Sequence, residues 1–312
     1  MTLDGLLLID KRAGCTSHDV VQQVRRALRQ KRVGHCGTLD PDATGLLLIT
    51  VGQATRLTRF LIHAPKVYEG TIRFGIATDT YDASGRVTAE RPIDGLTTER
   101  VEAAMTAFVG TFEQDLPAYS ARKVGGVKFY ELARRGEEVP EARKEVTVWE
   151  LSRLGELAGD RLEFRLSCSS GTYARGIAHD LGAALGCGAH LASLRRTAAG
   201  PFRVEAALTL DELVERQRSE APLGDAWMPL ERIPLPFADA ALDAAQERRI
   251  RNGQTALLPG VASPEGEWLR LLDRRGAAIA VGTVSERVGA LAVVQPRIVF
   301  VPGADVVGFS RI

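Results

Sequence analysis

The chain has 312 residues, 45% hydrophobic and 25% charged, with a net charge of +1. That length suits one large domain plus a small one, and the composition is ordinary for a globular protein. The balance excludes a globally basic nucleic-acid binder, so any polyanion contact must come from local charge asymmetry.

Residues 5–10 are a short apolar run and predict a buried strand. Ser17 is a suitable N-cap for a helix carrying Val20, Val21, Val24, Ala27 and Leu28 as its apolar stripe. Arg25, Arg26, Arg29, Lys31 and Arg32 crowd the same stretch. The following loop reads Gly34-His35-Cys36-Gly37-Thr38-Leu39-Asp40-Pro41, with Ala43-Thr44-Gly45 after it. Pro41 biases Asp40 toward extended backbone, and the glycines allow tight turns and close approach of a ligand. Taken alone, an Asp there serves backbone amides as readily as a substrate.

Residues 45–51 predict a second buried strand, and residues 67–76 a third that opens on Tyr68. An aromatic in a strand is usually core, but Tyr68 can also stack on a base. A polar turn at residues 78–85 follows. Thr98 is read as the cap of a helix with Val101, Ala104, Met105 and Phe108 inside. Arg161–Cys168 alternates cleanly. A helix begins at about Tyr173 and stops at Gly186, with Arg175 in its first turn. Arginine is disfavoured beside the positive end of a helix unless an anion compensates, and Asp40 is the candidate partner.

Pro229, Pro234 and Pro236 mark a domain boundary, giving residues 1–236 and 237–312. The second part predicts a helix near residues 243–252 and strands at Trp268–Leu272, 278–284 and 297–301. Strands and helices are interspersed without βαβ alternation, which predicts a mixed α+β architecture.

Four cysteines form no Cys-x-x-Cys pair and suit a reducing cytoplasm; with five histidines they show no zinc spacing. No phosphate loop, dinucleotide fingerprint or nucleophile elbow is present. No stretch approaches the ~18 apolar residues of a membrane span. A cofactor-free and metal-free reaction is the simplest expectation.

Several segments in order resemble the bacterial tRNA pseudouridine-55 synthases of the TruB type. They are residues 5–11 with 14–21, 34–45, Thr78-Asp79-Thr80 with Asp82 and Gly85, Tyr119-Ser120-Ala121 with Lys123-Val124, Tyr130 with Ala133-Arg134, Gly171-Thr172-Tyr173 with Arg175, and Leu194-Arg195-Arg196-Thr197. Departures are Arg12, Cys36, Asp42 and Ser170, where the family often has proline, threonine, leucine and lysine. The resemblance implies a mixed, mainly antiparallel pseudouridine-synthase sheet with flanking helices, and a small β-rich PUA-like RNA-binding module at the C-terminus.

It further implies that uridine 55 of the tRNA T arm is flipped into a pocket and isomerised. Asp40, Tyr68 and Arg175 would be catalytic. His35 would shape the space left by the base. Lys11, Arg25, Arg29, Lys31, Arg195 and Arg196 would contact RNA. Asp40 is expected to stay ionised at neutral pH, held so by Arg175, with Asp42 opposing. The protein is expected to act as a cytoplasmic monomer on the T-arm stem-loop, with no obligate protein partner and no membrane. The competing readings are a non-catalytic RNA-binding protein, against which Asp40, Tyr68 and Arg175 together argue, and a guide-RNA-dependent synthase, against which the short termini argue.

Overall fold

Two long strands, Thr44–Val51 and Ala189–Ala199, meet side by side in parallel at the middle of the main sheet, and that junction organises the molecule. The computed structural model describes residues 3–117, 123–124, 127–128, 140 and 142–301. The resemblance segments at Tyr119-Ser120-Ala121 and at Tyr130 with Ala133-Arg134 lie outside the described residues.

Among the described residues the main sheet has ten strands. Its order is Trp227–Pro229, Gly5–Lys11, Thr44–Val51, Ala189–Ala199, Lys66–Phe74, Arg161–Cys168, Arg143–Arg153 and Gly110–Asp115. Val33–Cys36 adds to Thr44–Val51, and Phe202–Arg203 adds to Ala189–Ala199. Every pairing but the central one is antiparallel. This is the mixed α+β architecture that the element pattern predicts, with the mainly antiparallel sheet that the resemblance implies.

The apolar stripes explain the layers. Val20, Val21 and Val24 of the helix Ser17–Ala27, with Leu213 of Leu210–Arg218, pack on the Gly5–Lys11 and Thr44–Val51 strands. Val101 and Met105 of Thr98–Met105, with Ile177 and Leu181 of Ala174–Ala184, pack on the other half, against Leu162, Phe164 and Leu166. Burying each such side chain contributes roughly 1.5–3 kcal/mol. The sheet therefore has two core clusters, one on each half.

Local readings shift by small amounts. The N-cap of the first helix is Thr16, not Ser17: Thr16 forms a capping box with Asp19, while Ser17 turns inward. Thr97, not Thr98, caps the helix Thr98–Met105. The strand from Lys66 ends at Phe74 because Gly75 takes φ 86°, and the chain resumes as Ile76–Thr78.

Beyond residue 237 a separate five-stranded sheet runs Ala238–Ala241, Trp268–Leu272, Ala278–Val288, Leu291–Val299 and Ala256–Pro259, with the helix Ala244–Arg251 beside it. It has its own core around Leu258, Leu269, Leu271 and Val294. Its other side does not stand free: Ala278, Val281, Ile298 and Phe300 join the first core cluster of the main domain. Phe60 meets Phe237 and Trp268 edge-on, each at 4.8 Å between ring centres. Among the described residues no helix is long and apolar enough to cross a membrane.

Candidate active site

The loop bearing Asp40 is held from below by buried side chains. Ser17 is 1% exposed; its hydroxyl donates to the Leu39 carbonyl at 3.1 Å and accepts from the Leu39 N–H at 2.9 Å. Lys11 is fully buried, and its ammonium donates to the carbonyls of Arg12 (3.0 Å), Pro41 (2.8 Å) and Ala43 (2.6 Å). Arg196 is 1% exposed and donates to the carbonyls of Leu46 (2.7 Å) and Gly37 (3.1 Å). Gly45 is required where the two central strands touch: at φ 97° a Cβ would collide with the Arg196 backbone.

These contacts revise two expectations. Lys11 and Arg196 are not surface phosphate contacts. Each is buried and donates to backbone carbonyls under the loop, and burial lowers the Lys11 pKa from its usual value. Arg195 does face outward, but it is paired bidentately with Asp10 at 3.0 and 2.7 Å.

Asp40 opens to solvent at the rim, with 48% of its side chain exposed. Its inner side is crowded, and that loss of water raises its pKa. Arg175 opposes most strongly, Asp82 pushes further up, Lys11 opposes and Asp42 adds to the rise. The net direction is upward, so Arg175 does not hold the carboxyl at its ordinary value; desolvation and two neighbouring acids outweigh it.

Arg175 arrives from the helix Ala174–Ala184 with its side chain 6% exposed. Its guanidinium lies 3.6 Å from an Asp40 oxygen and 3.4 Å from Asp82. It also donates to the Thr80 carbonyl at 3.4 Å. Asp82 is itself held in place. Its Oδ1 accepts from Thr80 Oγ1 (2.7 Å), Ser84 N (3.0 Å) and Ser84 Oγ (2.6 Å), leaving Oδ2 for the arginine. One turn along the helix, His179 stacks on Tyr81 at 3.8 Å and 18°. Tyr81 adopts φ 67°, uncommon for a residue with a side chain.

Tyr68 lies on the strand between Arg161–Cys168 and Ala189–Ala199, in register with Leu166 and Arg196. Burial raises the phenol pKa; Arg196 opposes through its charge and a hydrogen bond, and the Asp40 charge pushes it up further. Tyr68 is therefore a neutral hydroxyl that shares its surroundings with Asp40 and Arg196. Two residues earlier, Lys66 is 3% exposed and donates to the Ile62 (2.6 Å) and Ala64 carbonyls. Burial, with Arg196 next, brings its pKa down to about 8. His35 is half-buried; burial, Arg196 and His18 lower its pKa, so the ring is neutral.

The helix arginines divide. Arg25 is partly buried and donates to the Val33 carbonyl at 2.9 Å. Arg29, Lys31 and Arg32 are exposed. Sequence reasoning gave no site role to Asp82 or Lys66 and read Ser17 only as a helix cap; Asp82 and Ser17 carried a signal, as parts of the Thr78–Gly85 and 14–21 segments. Among the described residues no group of three or more His, Cys, Asp or Glu could hold a metal ion.

Comparison with known proteins follows the same outline. Residues 25–174 match the TruB family pseudouridylate synthase N-terminal domain, and residues 175–233 match the tRNA pseudouridylate synthase B C-terminal domain. Similar curated proteins include tRNA pseudouridine synthase B of Solibacter usitatus, 44% identical over 90% of this chain and 96% of that protein. That of Thermobifida fusca is 43% identical over 88% of this chain and 96% of its own length. That of Opitutus terrae is 50% identical over 68% and 87%. Among solved structures, a chain of a Cbf5-Nop10-Gar1 complex superposes with TM-score 0.75 at 24% identity, covering 96% of this chain and 85% of that one; this likeness speaks for the fold alone.

Proposed function

Since this chain belongs to the TruB family of pseudouridylate synthases, we propose that it converts uridine 55 in the T loop of tRNA to pseudouridine with Asp40, Arg175 and Tyr68 as its catalytic residues. It is a tRNA pseudouridine synthase, an isomerase. Substrate and product have the same atoms and oxidation state, so the reaction calls for no redox cofactor, nucleotide or metal.

The reaction breaks the bond from N1 of uracil to C1′ of the ribose, turns the base and rejoins it through C5. The base must leave its stack, at a cost of a few kcal/mol that stacking and backbone contacts offset. Tyr68 supplies a partly buried aromatic face for the flipped uracil. Its neutral hydroxyl, beside the Arg196 charge, is available to take part in the loss of the C5 proton. Asp40 acts at the sugar, as nucleophile on C1′ or as base on a sugar proton. Either use needs the carboxylate, and Arg175 favours that ionised form against the burial of the loop. His35, neutral and half-buried, shapes the space left by the flipped base.

Exposed Arg29 and Lys31, with Arg195 in part, supply the cationic rim toward phosphates. Residues 1–236 form the catalytic unit, and 237–312 a PUA-like module that grips RNA away from the T loop. The chain acts as a monomer without an obligate protein partner.

One observation carries this reading. Asp40, Asp82 and Arg175 come from three distant stretches of sequence, yet both carboxylates lie within 3.6 Å of the one guanidinium at the edge of one loop. Incubating the purified chain with an unmodified tRNA transcript and mapping pseudouridine tests it. Modification at position 55 is expected; none there, with a folded transcript, overturns the reading.

A further inference from the structure

Gln114 stands on the strand Gly110–Asp115, in register with Lys144 of its neighbour, and is 1% exposed. A buried amide is costly unless both its ends are satisfied. Here a single residue satisfies both: Nε2 donates to the Tyr173 carbonyl at 2.9 Å, and Oε1 accepts from the Tyr173 N–H at 2.8 Å. The amide orientation is forced, because a backbone N–H can only donate and a carbonyl only accept. The side chain thus pairs with Tyr173 as a neighbouring strand would.

Tyr173 is the N-cap residue of Ala174–Ala184, and its own side chain makes no capping bond. Helix starts leave backbone N–H groups without intrahelical partners. At this start one of those groups, the N–H of Tyr173, is met by a side chain from a distant strand. Gly176 makes the room: a Cβ there would come within 2.9 Å of Gln114 Nε2. Two residues beyond Tyr173 is Arg175, whose guanidinium reaches Asp40 and Asp82. Any tilt of the first turn moves that guanidinium directly.

We propose that Gln114 is a positioning residue, whose amide fixes the start of the helix and through it the reach of Arg175 to Asp40. The inference rests on reading Asp40 and Arg175 as catalytic. Gln114 touches neither substrate nor the reacting atoms; its effect passes through Tyr173 and the first helical turn. Small errors in placement are expensive in catalysis, since an ångström of displacement costs on the order of a hundredfold.

The test uses two variants of the full chain, each measured by single-turnover rate and tRNA affinity. Gln114→Met keeps the bulk and removes both hydrogen bonds; its rate should fall by about tenfold or more with affinity little changed. Gln114→Glu gives the sharper readout. A protonated carboxyl offers one donor and one acceptor, as the amide does, whereas a carboxylate turns an acceptor toward the Tyr173 carbonyl. Burial raises that carboxyl's pKa, while Lys144, its partner across the ladder, lowers it. The ratio of Gln114→Glu to wild-type rate should therefore rise as pH falls from 8 toward 5. A flat ratio overturns the proposal. So does a Gln114→Met chain that is as fast as wild type, or one that loses rate, affinity and melting temperature together. If Gln114→Met does not fold, the pH ratio of Gln114→Glu alone decides. Asp40→Asn serves as control: an active Asp40→Asn enzyme refutes the catalytic reading itself, whereas an inactive one beside wild-type-like Gln114 variants refutes only this inference.

Discussion

The guanidinium of Arg196 donates to the Gly37 carbonyl at 3.1 Å, across 159 residues of sequence, while its own backbone pairs with Tyr68. One buried cation thereby ties the floor of the Asp40 loop to the aromatic strand. Lysine has the same charge but cannot place several donors in a planar fork. Arg196→Lys should leave either the Leu46 or the Gly37 carbonyl without its donor, costing about 2 kcal/mol. Thermal melting and single-turnover assays should show lower stability and a slower reaction, with tRNA affinity less affected. Affinity falling most would return Arg196 to the role of an RNA contact.

Asp40→Asn keeps size and removes the charge. Turnover should fall by roughly a hundredfold to ten-thousandfold or beyond, with tRNA binding kept. Stability should move the other way. The folded protein raises the Asp40 pKa above its usual value, so ionising it costs more in the fold than in the unfolded chain. The variant should melt above wild type at neutral pH, and the gap should close as pH drops below the carboxylate range. For the same reason the wild-type rate should lose its acid limb at a pH above that of an ordinary aspartate. A variant that melts lower at neutral pH contradicts this.

Lys66 offers an alkaline counterpart. Its folded pKa of about 8 lies below the unfolded 10.5, so the charged form burdens the fold. That burden is fully present below pH 8 and is lifted as pH rises to 10.5. The neutral amine retains two N–H donors for the Ile62 and Ala64 carbonyls. Relative to Lys66→Met, wild-type stability should therefore gain up to roughly 3 kcal/mol across that window. Denaturant melts at pH 7, 8.5 and 10 measure it; a difference that is constant with pH refutes the assignment.

Not every part of the molecule was equally legible in the sequence. Arg161–Cys168 was readable because Leu162, Phe164, Leu166 and Cys168 alternate without exception and are all buried. The pairing of Asp40 with Arg175 followed from helix electrostatics and is met at 3.6 Å. Lys11 and Arg196 were misplaced because long cations are exposed unless something pairs them; here the partners are carbonyls supplied by chain segments that no local pattern reveals. Ser17 and Thr16 are both good caps, and only the demand of the Leu39 backbone decides between them.

On the basic face, Arg29 is exposed at φ 52°, and Lys31 and Arg32 are exposed beside it, whereas Arg25 is spent on the Val33 carbonyl. Replacing Arg29 and Lys31 by Ala should lower the salt slope of tRNA binding by about 0.7 to 0.9 for each phosphate no longer neutralised. Arg25→Ala should chiefly lower the melting temperature and leave the slope alone. Binding isotherms at several salt concentrations separate the two; an unchanged slope in the double variant would make these residues a solvated helix end.

The C-terminal sheet is joined to the main domain by more than a linker. Phe60 is enclosed by Phe237 and Trp268, and Ile298 and Phe300 complete the core that begins with Leu6 and Val51. Gln53 adds polar stitches, donating to the Val301 carbonyl at 2.7 Å and accepting from its N–H at 2.9 Å. Arg56 donates to the Val299 carbonyl at 2.8 Å. A chain ending near Leu235 keeps every residue of the proposed active site but bares this apolar face. It should melt well below the full chain and tend to associate. Trp268→Ala is the gentler probe. It removes one aromatic wall and should cost up to about 3 kcal/mol, since the ring is only partly buried. Wherever either variant stays folded, turnover on a T-arm stem-loop should persist and affinity for full tRNA should drop. A truncated chain that melts like wild type would show two independent units that merely touch; one that stays folded but has lost stem-loop turnover would mean the second sheet takes part in shaping the site.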